Sequence, residues 1–187
     1  MHYILLLLLA VSCSSEKKFR GRYVPSTDND ERISHDWDKD GYPESVIISP
    51  VTGPGEYREL VVYRGVPEGM PRERLFSNSS LIPRKARPGG VLKLQKDYSF
   101  HLTVDASSSG RIGEVITWKI SWKKNRYLLT GMVQDWSDKL DPFDHKTCDV
   151  DLQRGRGRKN GKLVKFKPLA VDLIDLNEKF LPAICEF

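Results

Sequence analysis

The residues whose types and spacing most clearly prescribe chemistry are Asp36-Trp37-Asp38-Lys39-Asp40-Gly41-Tyr42-Pro43-Glu44. A carboxylate stands at every second position, then comes a glycine, then another carboxylate. Three Asp side chains spaced this way converge when the backbone curls into a tight loop, and Gly41 supplies the sharp turn, where a Cβ is costly. The carbonyl of Tyr42 and the carboxylate of Glu44 can complete an all-oxygen shell of the kind a hard cation, Ca²⁺ above all, prefers. The candidate metal ligands are therefore Asp36, Asp38, Asp40, Tyr42 and Glu44. Four carboxylates within nine residues also repel one another unless a cation offsets their charge. The competing reading is a solvated acidic turn, since Asp-Gly is a turn signal in its own right. A helix-loop-helix calcium loop needs a bidentate Glu at its twelfth position, and that position here is Ile47, inside the strand-like run Val46-Ile47-Ile48. The loop thus feeds a strand.

The elements that must position it read as strands too. Helical periodicity is almost absent. Short apolar runs rich in Val, Ile, Tyr and Trp recur between Gly, Pro, Ser and Asn clusters, an all-β pattern. Val46 to Ser49 leaves the acidic loop, and Glu59 to Arg64 reads as a buried strand. Gly65 to Pro88 holds prolines and many charges and reads as an irregular excursion with a short strand near Arg74 to Phe76. Val91 to Leu94 and Tyr98 to Val104 follow. Glu114 to Trp122 alternates, with Ile116, Trp118, Ile120 and Trp122 on one face, turns at Lys123 to Arg126, and returns through Tyr127 to Val133. Core packing is the expected role of the two indoles, with ligand stacking as the alternative.

Asp135 to Thr147 reads as a polar loop, and Cys148 to Gln153 as a strand. Arg154 to Gly161 reads as a turn, with Asn160-Gly161 as a tight hairpin signal. Lys162 to Lys167 returns, and Leu173 to Phe180 reads as one short helix. The expectation is a single all-β or β-rich antiparallel domain of about eight to ten strands, sandwich or propeller-like.

Ahead of that domain, Tyr3 to Val11 is an unbroken apolar run too short to span a bilayer. It ends in Ala10-Val11-Ser12-Cys13, then Ser14-Ser15-Glu16-Lys17-Lys18. This resembles a bacterial lipoprotein signal, in which Cys13 becomes lipidated and N-terminal. Residues 1–12 are then a signal peptide, 13–22 the lipidated cysteine with a flexible tether, and 23–187 the β domain. An n-region without Lys or Arg, and Ala10 where such signals carry Leu, are departures. The alternative is an ordinary secretory signal, and both export the chain. Ser14 resembles the pattern of outer-membrane sorting from the periplasm. In that oxidising compartment Cys148 and Cys185 are candidates for a disulfide, with two buried thiols as the alternative.

The formal net charge is +5, unevenly spread. Residues 26–44 are acidic, whereas Arg154, Arg156, Arg158, Lys159, Lys162, Lys165 and Lys167 form a basic hairpin. Export argues against nucleic acid as its partner and leaves an anionic envelope surface or an acidic protein. No catalytic residue is assigned. His35, His101 and His145 are scattered and adjoin no nucleophile motif, and no phosphate-binding glycine pattern occurs.

The acidic loop and the strand after it resemble the calcium loop of FG-GAP/VCBS-type repeats, here in a single copy. Together with Gly89-Gly90-Val91-Leu92-Lys93-Leu94 and the hairpin Thr117-Trp118-Lys119-Ile120 to Tyr127-Leu128-Leu129-Thr130-Gly131, the chain resembles a class of exported bacterial lipoproteins. Members of that class are periplasmic immunity proteins that bind and inhibit lysozyme-like peptidoglycan hydrolases. The resemblance implies a calcium-binding, membrane-anchored protein that works by binding a protein partner as an enzyme inhibitor, not by catalysis. The alternatives are an envelope structural or adhesive lipoprotein that binds glycan or protein, and a glycan hydrolase with a carboxylate pair.

Overall fold

A computed structural model describes residues 31–49, 57–83, 90–107, 111–177, 180 and 182–187. The expected signal peptide, the candidate lipidation residue Cys13 and the expected tether lie outside the described residues. The fold is all-β. Two antiparallel sheets face each other across one core. The first runs in the order β1 (Arg32–His35), β2 (Glu44–Ile48), β3 (Tyr57–Tyr63), β4 (Arg74–Pro83). The second is built from β5 (Val91–Leu94), β6 (Phe100–Asp105), β7 (Ile112–Lys123), β8 (Arg126–Asp138), β9 (Asp141–Asp151), β10 (Arg156–Lys159) and β11 (Lys162–Lys165), neighbours in sequence pairing in space. The short β12 (Val171–Asp172) pairs with β8 at Leu128 and Leu129, beyond the reach of β9.

The expected alternation on β7 holds. Ile116, Trp118 and Ile120 are buried, and Trp122 packs edge-on to Tyr127 with ring centroids 4.8 Å apart. Both indoles therefore pack into or against the core. From the opposite sheet come Val46, Ile48, Leu60, Val62 and Ile82, all buried in the same cluster. Antiparallel sheets stack in this way when each presents one apolar face. The C-terminal segment closes one side. Leu173 and Leu176 are buried, and the side-chain amide of Asn78 on β4 donates to their carbonyls, at 3.0 Å for Leu173. Cys148 of β9 and Cys185 are joined in a disulfide with their Cα atoms 5.6 Å apart, which ties the tail to the second sheet.

Several expectations from the sequence are corrected. Asp135 to Thr147 is not a loop. It is the continuous hairpin of β8 and β9, turning at Lys139-Leu140. Its side chains are mostly polar because this part of the ribbon extends past its neighbours, so periodic burial does not mark it. β4 is ten residues long rather than a short strand. The stretch read as one turn from Arg154 to Gly161 contains β10, so that Arg154-Gly155 end the turn after β9 and Asn160-Gly161 make a second, tight turn into β11. Among the described residues of Leu173 to Phe180, the one helical turn is 3₁₀, at Leu173–Asp175, stopped by a Leu176 in extended conformation. Twelve strands lie among the described residues, and β1 was not anticipated.

Candidate metal centre

The acidic loop is the connection of the β1–β2 hairpin. His35 and Glu44 face each other across the two strands, and residues 36–43 loop out between them. Gly41 adopts φ +97° and Lys39 φ +64°, so the chain passes twice through the left-handed region in three residues. An added Cβ at Gly41 would meet nothing within 4 Å, so the glycine is required by its dihedral and not by crowding.

The loop folds on its own carboxylates. Gly41 N–H donates to Asp36 Oδ2 at 3.1 Å, Asp40 N–H to Asp38 Oδ1 at 3.1 Å, and Tyr42 N–H to Asp40 Oδ1 at 2.8 Å. Each Asp therefore spends one oxygen on the backbone and directs the rest of its carboxylate elsewhere. The four acids Asp36, Asp38, Asp40 and Glu44 converge, offering one oxygen each within 4.8 Å of one another. Tyr42, whose carbonyl was expected to complete the shell, has that carbonyl pressed against Gly65. A Cβ on Gly65 would lie 1.9 Å from the Tyr42 oxygen. The chain leaving β3 thus buttresses the loop from behind.

Glu44 is the buried member, 3% exposed. Its Oε2 accepts the Trp37 N–H at 2.8 Å, while its Oε1 is buried with no hydrogen-bond partner. Asp36 Oδ1 is likewise buried and unpartnered. Burial pushes the Glu44 carboxyl up to about 7, with the nearby Asp38 and Asp36 charges adding to the effect and the Trp37 N–H opposing it. Two orphaned carboxylate oxygens inside a four-acid cluster are costly for a protein alone. A divalent cation with oxygen ligands meets both needs, and the donor set contains no nitrogen or sulfur, which fits Ca²⁺ or another hard cation.

The aromatic residue inside the motif does a second job. Trp37 is buried between the sheets, with its ring 5.6 Å from Tyr127 and 5.7 Å from Phe100. Its indole N–H donates to the Tyr98 carbonyl at 2.7 Å, in the turn between β5 and β6. His35 stacks on the Tyr98 ring at 4.3 Å. The first sheet's acidic loop is therefore fastened to the second sheet. Nothing in the local pattern announced this, since Trp37 occupies a variable position of the motif. Its aromatic bulk between charged neighbours was the only signal.

His101 on β6, next to the Phe100 that packs on Trp37, and His145 on β9 are not members of the acidic cluster, and the basic residues 154–167 occupy the edge of the second sheet formed by β10 and β11. Searches against protein-family models, curated proteins and solved structures return no match.

Proposed function

We propose that this chain is an exported, lipid-anchored, calcium-stabilised β domain that acts by binding a protein, as an immunity protein that inhibits a peptidoglycan hydrolase. The observation that carries the calcium part is the pair of buried, unpartnered oxygens of Glu44 and Asp36 inside the four-carboxylate cluster. In this reading Asp36, Asp38, Asp40 and Glu44 hold Ca²⁺, and the ion acts as a clamp. It neutralises the loop that Trp37 inserts between the sheets and so holds β1 and β2 against β5 and β6. A rigid frame of this kind suits a protein working outside the cell's quality control.

Export and anchoring through Cys13 to the outer membrane rest on the apolar run and small residues of the first 13 positions. The inhibitory role rests on the resemblance to periplasmic immunity lipoproteins. The purified domain, residues 23–187, tests it directly. In calcium buffer it is expected to slow peptidoglycan digestion by lysozyme-like hydrolases encoded beside it, at stoichiometric concentration. Release of glycan fragments by the domain itself would overturn the reading in favour of an enzyme, and no inhibition across those hydrolases would overturn it in favour of a structural or adhesive lipoprotein. The Cys13→Ser chain is expected in the soluble periplasmic fraction; its persistence in membranes would remove the lipid anchor.

A further inference from the structure

We propose that Tyr127 of β8 is a positioning residue of the cation site, its hydroxyl donating to the Glu44 carboxylate from the opposite sheet, so that cation binding becomes a contact between the two sheets. The inference deepens the calcium reading and rests on it.

Glu44 reaches inward. On β2 it shares a strand face with Val46 and Ile48, and all three are buried. Alternation along the strand therefore sends its side chain between the sheets. Tyr127 enters the same core from β8 and is 1% exposed. Trp37 touches both. Its backbone N–H donates to Glu44 Oε2 at 2.8 Å, and its ring stands edge-on to the Tyr127 ring with centroids 5.6 Å apart.

The ring of Tyr127 is well provided for. The rings of Trp37, Trp122, Phe76 and Phe100 surround it, with centroids from 4.8 to 6.0 Å away. A phenylalanine would fill that cage equally well. The hydroxyl is what requires an explanation, because it is buried with no hydrogen-bond partner and its four aromatic neighbours offer no oxygen to accept it. Burial, and then the charges of Glu44 and Asp38, hold its pKa far above the usual tyrosine range. The group keeps its proton, and the charges that act on it belong to the acidic cluster.

On the other side of the core, Glu44 Oε1 is a buried acceptor with no donor. The two unpartnered groups are complementary in kind. A carboxylate has about four lone-pair sites. The Trp37 N–H takes one and a cation takes another, which leaves room for the Tyr127 hydroxyl. A donor of this kind fixes the orientation of a ligating carboxylate, and its loss typically weakens metal binding about 10–100-fold. The first sheet then supplies the ligands and the second sheet the group that aims the buried one. Affinity accordingly depends on how the sheets pack and not on the loop alone.

The test is Tyr127→Phe in the full-length protein, which deletes one oxygen and keeps the ring. Calcium affinity measured by calorimetry should fall about tenfold or more. Terbium luminescence, excited through the indole of Trp37, should report the same weakening independently of stability. The melting temperature should stay level or rise in chelator, where a buried hydroxyl without a partner has been removed, while the rise on adding calcium should shrink. A residue that only packs would shift the two melts alike and leave both affinities unchanged, and that outcome would overturn the inference. Wild-type protein that binds neither calcium nor terbium would sink the cation site and this role with it. Wild-type binding with an unaltered affinity in Tyr127→Phe would remove the role of Tyr127 and leave the cation site standing.

Discussion

At the residue scale, the acidic loop makes its strongest claim through Glu44. An exposed acid can repel its neighbours into solvent, but Glu44 is buried with one oxygen unpartnered. Calcium is therefore expected to raise stability by mass action, about 2.7 kcal/mol at a hundredfold excess over its dissociation constant. For a domain of this size that is a rise in melting temperature of roughly 5–10 °C. Asp38→Ala with Asp40→Ala should lower the melt in calcium buffer and abolish the difference between calcium and chelator. A wild-type melt that ignores chelator would sink the metal assignment. A second residue-scale prediction concerns acid. The hydrogen bond from Arg111 holds the Asp138 carboxyl below the usual carboxylate range. A depressed carboxyl stabilises the fold fully above its ordinary titration range, and that stability is lost as pH falls through the lowered value. Asp138→Asn should accordingly flatten the acid limb of the stability–pH curve below about pH 4, where wild type declines. Urea midpoints measured from pH 2 to pH 7 would show it; parallel curves would refute it.

At the scale of elements, Gly65 decides how β3 supports the loop. A Cβ there would overlap the Tyr42 backbone, with no flexible side chain to yield. Gly65→Ala should therefore cost about 1–3 kcal/mol and weaken calcium binding together, because the backbone that moves belongs to the loop. Calorimetric calcium titration of the variant checks this; unchanged affinity with an unchanged melt would rule the buttress out. The same element shows where sequence reading runs short. The strand after the acidic loop was legible because Val46, Ile47 and Ile48 follow it directly. The outer half of the β8–β9 hairpin was not, because residues such as Asp135, Asp141 and Asp144 carry no apolar alternation. Strand pairing there is enforced by backbone hydrogen bonds and by the neighbouring β7, which a local window does not contain. The Leu173 to Phe180 helix fails for the converse reason. Its apolar residues are spaced well enough for a helix, but Leu173 and Leu176 are spent on the sheet interface and on the Asn78 bonds.

At the scale of the whole molecule, two fastenings at opposite ends of the chain hold the sheets together. One is Trp37, sent from the first sheet to Tyr98 on the second. The other is the Cys148–Cys185 bridge, whose ends are 37 positions apart in sequence, and the tail segment it retains against β4. Closing a loop of that length stabilises by about 3–4 kcal/mol in the chain-entropy account. Reduction, or Cys148→Ser with Cys185→Ser, should lower the urea midpoint by a corresponding amount while leaving the calcium-dependent shift intact, since the two fastenings share no residue. A loss of calcium dependence on reduction would show instead that they act as one unit.

The sequence by itself determined what is local. The convergence of Asp36, Asp38, Asp40 and Glu44, the turn at Gly41, the alternation on β7 and the all-β class follow from spacing within a dozen residues. The two cysteines were legible as a pair because only two follow Cys13 in the sequence. The tertiary structure alone decided what depends on distant partners. It made Glu44 a buried acid, turned Trp37 into the wedge between sheets, and raised a polar stretch into the paired strands of the β8–β9 hairpin. Burial and orphaned oxygens are properties of what packs around a residue, and those neighbours lie tens of residues away in the chain.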